Sequence, residues 1–259
     1  MMTGVKMKIG KFTAAIIFSA LTLSMTACGT TADKFVQAEE EFYDSNGVVS
    51  NFTHKIEVSY EGKVTSSTFS GTLFLNNDGE DSTSSLVGTL SADSEDGEYK
   101  TEIRSYYEDG VYYSDAFGEK NAIAMSFSDA LLEFGLTAFP RDLEEDSFKA
   151  ISREMEGDLE KISFLIAPGE ASLVMGVGNQ FTRFARQNGS EDVVSLKEIT
   201  GYVLLDGDEP VKLHMNISGT IIRGDESVTV TNTIDNSYEL TYRDADVESP
   251  AQGEFNVVK

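Results

Sequence analysis

Over most of the chain beyond Asn51, apolar residues recur at every second position, and this alternation constrains the fold more than any other property. FTHKIEVSY sets Phe52, His54, Ile56, Val58 and Tyr60 on one side and Thr53, Lys55, Glu57 and Ser59 on the other. The pattern returns in Phe69-Gly71-Leu73-Leu75, Leu86-Gly88-Leu90, Tyr99-Thr101-Ile103-Ser105-Tyr107, Val111-Tyr113 and Ile123-Met125-Phe127. After Val193 it runs through Val203 and Leu205, is clearest in Val211-Leu213-Met215-Ile217-Ile221, and closes in Val228-Val230-Ile234 and Tyr238-Leu240-Tyr242. A period of two belongs to extended backbone, where successive side chains point to opposite faces. EGK, NNDGED, DSEDGE, YEDG, DGDEP and RGDE separate the runs. Gly beside Asp or Asn takes the positive φ of tight hairpin turns at little cost. Strands with one dry and one wet face build antiparallel sheets, because parallel sheets are covered on both sides.

Three segments break the alternation. TADKFVQAEEEFYDSNG reads as an amphipathic helix with Phe35, Ala38 and Phe42 inward and Asn46-Gly47 as its stop. SDALLEFGLTAF predicts a helix capped by Ser128, with Leu131, Leu132 and Phe134 inward and Pro140 as its limit. A hairpin around Gly157, ending in Ile162-Phe164-Ile166, separates it from a further helix opened by Pro168. That helix would bury Leu173, Val174, Val177, Phe181 and Phe184, although Gly176 and Gly178 each cost it about 1 kcal/mol. No linker divides the chain. The expected class is α+β: one curved antiparallel sheet covered by a few α-helices from the N-terminus and the middle.

The first thirty residues carry a different signal. Lys6, Lys8 and Lys11 precede FTAAIIFSALTLSMTA, a basic region followed by an apolar run too short to span a bilayer comfortably. Met25-Thr26-Ala27-Cys28 resembles the lipobox of bacterial lipoproteins, although Leu is usual where Met25 stands. In that family a diacylglycerol is joined to the cysteine sulfur and a peptidase cuts just before it. Cys28 is the chain's single cysteine, so no internal disulfide can form, and left free outside the cytoplasm it would be open to oxidation. The expected organisation is a signal peptide over 1–27, a lipidated tether over 28–34, one domain over 35–247 and a partly ordered tail over 248–259. The protein is then expected on the extracytoplasmic face of the cell membrane, anchored through Cys28; two acyl chains suffice where one is marginal.

Charge narrows the partners. Without Lys6, Lys8 and Lys11 the chain carries 17 Lys and Arg against 44 Asp and Glu, a formal charge of −27. Nucleic acid and anionic lipid headgroups are repelled by such a chain.

Catalytic patterns are sparse. His54 falls on an apolar strand face and His214 on a polar one, with nothing to pair them. There is no G-x-S-x-G elbow for a serine nucleophile, and Gly176-Val177-Gly178 lacks the strand and third glycine of a dinucleotide loop. The acidic turns miss the spacing of a calcium loop, and Glu144-Glu145-Asp146 names no defined carboxylate separation. The reading is therefore of a protein that is not an enzyme, with no cofactor and no metal site. Alternation puts Tyr107 and Tyr113 inward and Tyr106 and Tyr112 outward. Cross-strand aromatic pairing accounts for two of them, and an aromatic rim to a ligand mouth is the sharper account.

The order of these elements, with YYEDGVYYSDAFGEK as a hairpin where that family often has a KDGKYY-like one, resembles the LolA/LppX-like lipoproteins over about Thr31 to Val247. The acidity and the Asp-Gly turns also resemble lipoproteins of single-membrane bacteria, in which sorting to an outer membrane has no place. The resemblance implies a half-open β-barrel that carries a lipid or other apolar ligand under helical lids. Ile56, Val58, Leu73, Ile103, Leu173, Val177, Phe181, Leu213, Met215 and Ile217 would then line the concave face, with Tyr107 and Tyr113 beside them. The alternative is a cell-envelope interaction or structural lipoprotein with a filled core, no ligand and a protein partner that the sequence does not name.

Overall fold

The computed structural model describes residues 30–94, 97–141, 143–167, 193–223, 226–241, 244–245, 247 and 255–258. Helix α1 (Thr31–Asp44) comes first, followed by a meander of β1 (Gly47–Tyr60), β2 (Lys63–Asn76), β3 (Thr83–Ser94), β4 (Gly97–Glu108), β5 (Val111–Ala116) and β6 (Glu119–Ala124). Helix α2 (Phe127–Phe134) leads to β7 (Phe148–Glu156) and β8 (Leu159–Ile166). A second meander then runs through β9 (Val193–Asp206), β10 (Glu209–Arg223) and β11 (Glu226–Thr241), with β12 (Asn256–Val258) near the C-terminus.

The strands form one sheet in the order β12-β6-β5-β4-β3-β2-β1-β11-β10-β9-β8-β7. Each meander thus makes one half, and the antiparallel pairing of β1 with β11 joins them. The order is linear, so the sheet is an open, curved half-barrel in an α+β fold, as the alternation predicts. β12 lies parallel to β6, with Val257 opposite Ala122, so part of the C-terminal tail extends the sheet.

In-strand glycines mark where neighbouring strands crowd together. A Cβ at Gly71 would meet Val87 O at 2.1 Å and Gly88 Cα at 2.5 Å. In the other half, a Cβ at Gly201 would meet His214 O at 2.3 Å and the Phe164 ring at 2.8 Å. Neighbouring backbones approach there more closely than any side chain allows.

Helix α1 opens earlier than the expected tether boundary. Thr30 is its N-cap: the Thr30 hydroxyl accepts from Asp33 N–H at 3.2 Å, and the Asp33 carboxylate accepts from Thr30 N–H. Residues 31–34 are therefore helical, with Ala32 buried and Lys34 paired to Asp208 in the β9–β10 turn. The helix lays Phe35, Ala38 and Phe42 against the second half of the sheet, touching β10 and β7. Phe35 meets Phe139, Phe148 and Phe164 at ring distances of 5.2, 5.4 and 5.4 Å, and Phe42 meets Tyr238 at 5.1 Å. Such edge and tilted contacts add to simple burial. The Tyr43 hydroxyl donates to Phe139 O at 2.7 Å, which ties the helix to the chain leaving α2. Burial pushes the Tyr238 phenol well above its usual range, so it stays protonated and donates to Ala138 O at 3.4 Å.

Two details of α2 differ from expectation. Its N-cap is Ser126, whose hydroxyl accepts from Asp129 N–H at 3.1 Å, and not Ser128. Its buried stripe is Ala130, Leu131 and Phe134, which leaves Leu132 54% exposed. The helix expected after Pro168 lies outside the described residues.

Gly71→Ala should lower stability by about 1–3 kcal/mol through overpacking, although Gly→Ala at an open site with compatible φ stabilises by about 0.4–1 kcal/mol. A shift of the urea midpoint at constant slope would check it.

Candidate functional site

Cross-strand partners share a face of the sheet, so the register fixes what the concave side presents. One row across the first half is Leu73, Leu86, Ser105, Ser114 and Asn121. The row on one side of it is Gly71, Gly88, Ile103 and Ala116, and the row on the other is Leu75, Ser84, Tyr107, Tyr112 and Ile123. The first row turns small and polar toward the β5–β6 edge, and the second ends there in Ala116. A cavity of about 550 Å³ opens there, closed on its other side by Glu133 and Phe134 of α2 and by Thr137. His54, Phe69, Leu86, Ile103, Tyr112 and Ile123 complete its apolar and aromatic wall.

The wall is fixed by packing and hydrogen bonds. The Phe69 ring lies over Gly88, where an added Cβ would come within 2.5 Å of it, and meets Phe52 at 4.9 Å. His54 is buried opposite Phe69 in register, 5.4 Å from the Phe52 ring. Tyr112 donates its hydroxyl to Ser105 Oγ at 3.0 Å and meets Phe134 edge-on at 5.8 Å. Thr137 Oγ1 donates to Phe134 O at 2.8 Å, and Ser50 Oγ donates to Thr137 O at 2.6 Å, so β1 holds the turn after α2 in place. The lining combines an apolar floor with hydroxyls, one amide, one imidazole and one carboxylate, a composition suited to holding and orienting a guest.

The expected site residues divide into four groups. Ile103 lines the cavity. Leu213, Met215 and Ile217 are sealed in the core of the second half, which α1 fills; Leu73 is buried in the core on β2, and Ile56 and Val58 of β1 pack half-buried at its margin. Cys28, Leu173, Val177 and Phe181 lie outside the described residues. The tyrosines correct the expectation. Asp109 and Gly110 take φ of 53° and 75°, a two-residue turn that pairs Glu108 with Val111. Tyr107 therefore opposes Tyr112 on the inner face, and Tyr106 opposes Tyr113 on the outer one. Tyr107 is consumed by packing on Phe127 at 5.2 Å, while Tyr113 packs on Phe255 of the tail at 5.2 Å, outside the concavity.

The histidines stand on opposite faces. His214 Nδ1 lies 2.8 Å from Asp235 Oδ1 and its Nε2 lies 2.9 Å from Asn216 Nδ2. Thr233 donates to Asn216 Oδ1 at 3.0 Å, which turns the Asn216 amide toward the imidazole. Tyr202 stacks on His214 at 5.2 Å, and Lys161 lies over Tyr202 at 4.7 Å. A hydrogen bond to Glu156 chiefly holds the Lys161 ammonium above its ordinary range. This is an outer-face ladder crossing β8 to β11. Among the described residues, no three His, Cys, Asp or Glu side chains gather as a metal set.

Sequence reasoning missed Ser105, Tyr112, Ser114, Ala116, Asn121 and Glu133. For Ser105, Ser114, Ala116 and Asn121 the signal was the run of small or polar residues across the inner face of β4, β5 and β6, legible once the Asp109-Gly110 turn set the register; Tyr112 and Glu133 carried none. Phe134→Ala should enlarge the cavity and cost about 3–5 kcal/mol, while Leu132→Ala on the exposed side of α2 should stay within about 0.5 kcal/mol. Denaturant melts of the two variants would separate these values.

No protein-family model matches the chain, and no curated protein matches it. Among solved structures it is similar to LprF from Mycobacterium bovis, at 10% identity over 85% of this chain and 97% of that one, with a TM-score of 0.43. It is similar to the Mycobacterium tuberculosis lipoprotein LppX at 12% identity over 84% and 98% of the two chains, with a TM-score of 0.37. A DUF1329 family protein from Desulfovibrio piger matches at 12% identity over 83% and 94%, with a TM-score of 0.29. These identities hand over no residue roles.

Proposed function

We propose that the chain is an extracytoplasmic lipoprotein, held at the cell membrane by acyl chains on Cys28, that binds a lipid or other hydrophobic ligand between the β1–β6 half of the sheet and α2. The cavity of about 550 Å³ carries this reading. Its volume falls within the range of roughly 300–1,000 Å³ usual for ligand sites. Its wall is mainly apolar, with a few polar groups that can orient a guest. Burying hydrocarbon there contributes about 25 cal/mol per Å² and asks no covalent chemistry of the protein.

This reading puts the ligand beside Ile103 and away from Leu213, Met215 and Ile217. Leu213, Met215 and Ile217 meet α1 rather than a ligand. The filled half of the concavity favours the second reading, an interaction lipoprotein that binds no small molecule. The small residues Ser114 and Ala116 in the cavity wall favour the first, since larger side chains at those positions would reach into the cavity.

Solvent extraction of the intact chain purified from its own membranes, followed by mass spectrometry, should yield a hydrophobic compound in near-stoichiometric amount. Ala116→Phe, which fills the cavity, should lower that yield about tenfold while the thermal transition stays cooperative. An empty wild-type protein would leave only the second reading. Separately, Cys28→Ser should abolish metabolic labelling with palmitate and release the chain from the membrane fraction, as expected when both acyl chains are lost.

A further inference from the structure

The membrane anchor and the first helix stand close together in the chain. Thr30 is already the N-cap of α1, and its capping box with Asp33 closes the first turn. Only Gly29 separates Thr30 from Cys28, and two residues reach at most about 7 Å however they are arranged. That first turn is fixed to the body of the protein. Ala32 and Phe35 are buried, and Phe35 packs against Phe148 of β7 and Phe164 of β8. Lys34 pairs with Asp208 in the β9–β10 turn. A bilayer that holds acyl chains on Cys28 therefore lies on the order of 10 Å from a packed corner of the fold, with no long tether between them.

The corner is one end of long strands. β10 starts there at Glu209 and runs to Arg223. Val64 shares a row with Ser59, Thr229 and Thr220, so it stands eleven residues beyond Glu209, about 36 Å along the strands. His54 of the cavity wall shares a row with Ile234 and Met215, about 20 Å along. Two surface properties agree with this end meeting lipid. Among the described residues of the β7–β11 half, the exposed large apolar side chains are Met155 and Ile222. Met155 is 66% exposed and sits at the anchored end, paired with Glu160, which pairs with Leu205 beside the β9–β10 turn. The chain without Lys6, Lys8 and Lys11 carries a formal charge of −27, so anionic headgroups repel a body that would otherwise lie down on them. That repulsion acts within about 8 Å at physiological salt, which suffices to lift a molecule pinned at one corner.

Resting on the anchor reading above, we infer that the first turn of α1 and the β9–β10 turn form the membrane-facing surface, with Met155 meeting the headgroup layer and the strands rising from the bilayer. The short link between Cys28 and Thr30 imposes this posture. The cavity is held clear of the lipid by the same geometry.

The test puts one fluorophore on the full acylated chain. The sequence has no cysteine besides Cys28, whose sulfur the acyl anchor occupies, so a maleimide dye reports an introduced thiol alone. Asp206→Cys marks the anchored end and Val64→Cys the far end, both at exposed positions. In vesicles of phosphatidylcholine and phosphatidylglycerol that contain an acceptor-labelled lipid, energy transfer should be at least about threefold stronger from position 206. Twelve Gly and Ser residues inserted between Gly29 and Thr30 add a tether of about 19 Å and should bring the two positions within about 1.5-fold of each other. Equal transfer from both positions on the natural link, or a difference that survives the insertion, would overturn the inference and leave the anchor intact. A chain that takes the dye at Cys28 and does not stay with the vesicles would overturn the anchor itself. Asp158→Cys against Lys63→Cys, exposed positions at the same two ends, repeats the comparison should either first label disturb its strand or turn.

Discussion

The structure depends on a close approach of backbones inside the sheet. A wide antiparallel sheet encloses volume only when it coils, and it coils where side chains stop holding neighbouring strands apart. Gly71 and Gly88 provide that point in the first half, and Gly201 provides it in the second. Around them the large inner-face residues interlock: Phe69 lies over Gly88, and Phe164 lies over Gly201. The two halves thus share one device, a missing Cβ beneath a phenylalanine ring.

What the halves do with the enclosed space differs, and the helices decide it. α1 brings Phe35 and Phe42 onto the second half and meets Phe139, Phe148, Phe164 and Tyr238, which leaves that side solid. α2 has only eight residues and offers the first half Ala130, Leu131 and Phe134. Facing it, the inner rows shrink to Ser105, Ser114, Ala116 and Asn121. A short helix over short side chains leaves room, whereas a long helix with two aromatic anchors over Leu213, Met215 and Ile217 does not.

The alternation and the turns made most of this legible. Period two gave the strands, Gly with Asp gave the hairpins, and the i, i+3, i+7 spacing of Phe35, Ala38 and Phe42 gave the face of α1. The inner face of each strand was also readable, yet the relation between strands was not. Tyr113 was placed inward by counting along one strand, but whether it shares a face with Tyr107 depends on the residues the turn consumes. Ser126 rather than Ser128 caps α2 because Asp129 stands three residues after Ser126, a short motif visible in the sequence. The location of the cavity is the least local property. It follows from which half α1 covers, and nothing in one strand's pattern states that. The glycines at 71, 88 and 201 were visible as interruptions of apolar runs, and their meaning as points of close approach appears only when the strand beside each is known.

The short strand near the C-terminus has a consequence for how molecules of this kind coexist. An uncovered strand at the margin of a sheet is a template on which another chain can polymerise. β12 occupies the outward hydrogen-bonding groups of β6 over Asn121 to Ile123, and Phe255 beside it clasps Tyr113. The opposite margin, β7, bristles with Lys149, Arg153, Glu154 and Glu156, whose desolvation would penalise a docking strand. Both margins are thus blunted by unlike means, one by the chain's own continuation and one by charge. Edge-to-edge addition of a second copy is thereby disfavoured at both margins.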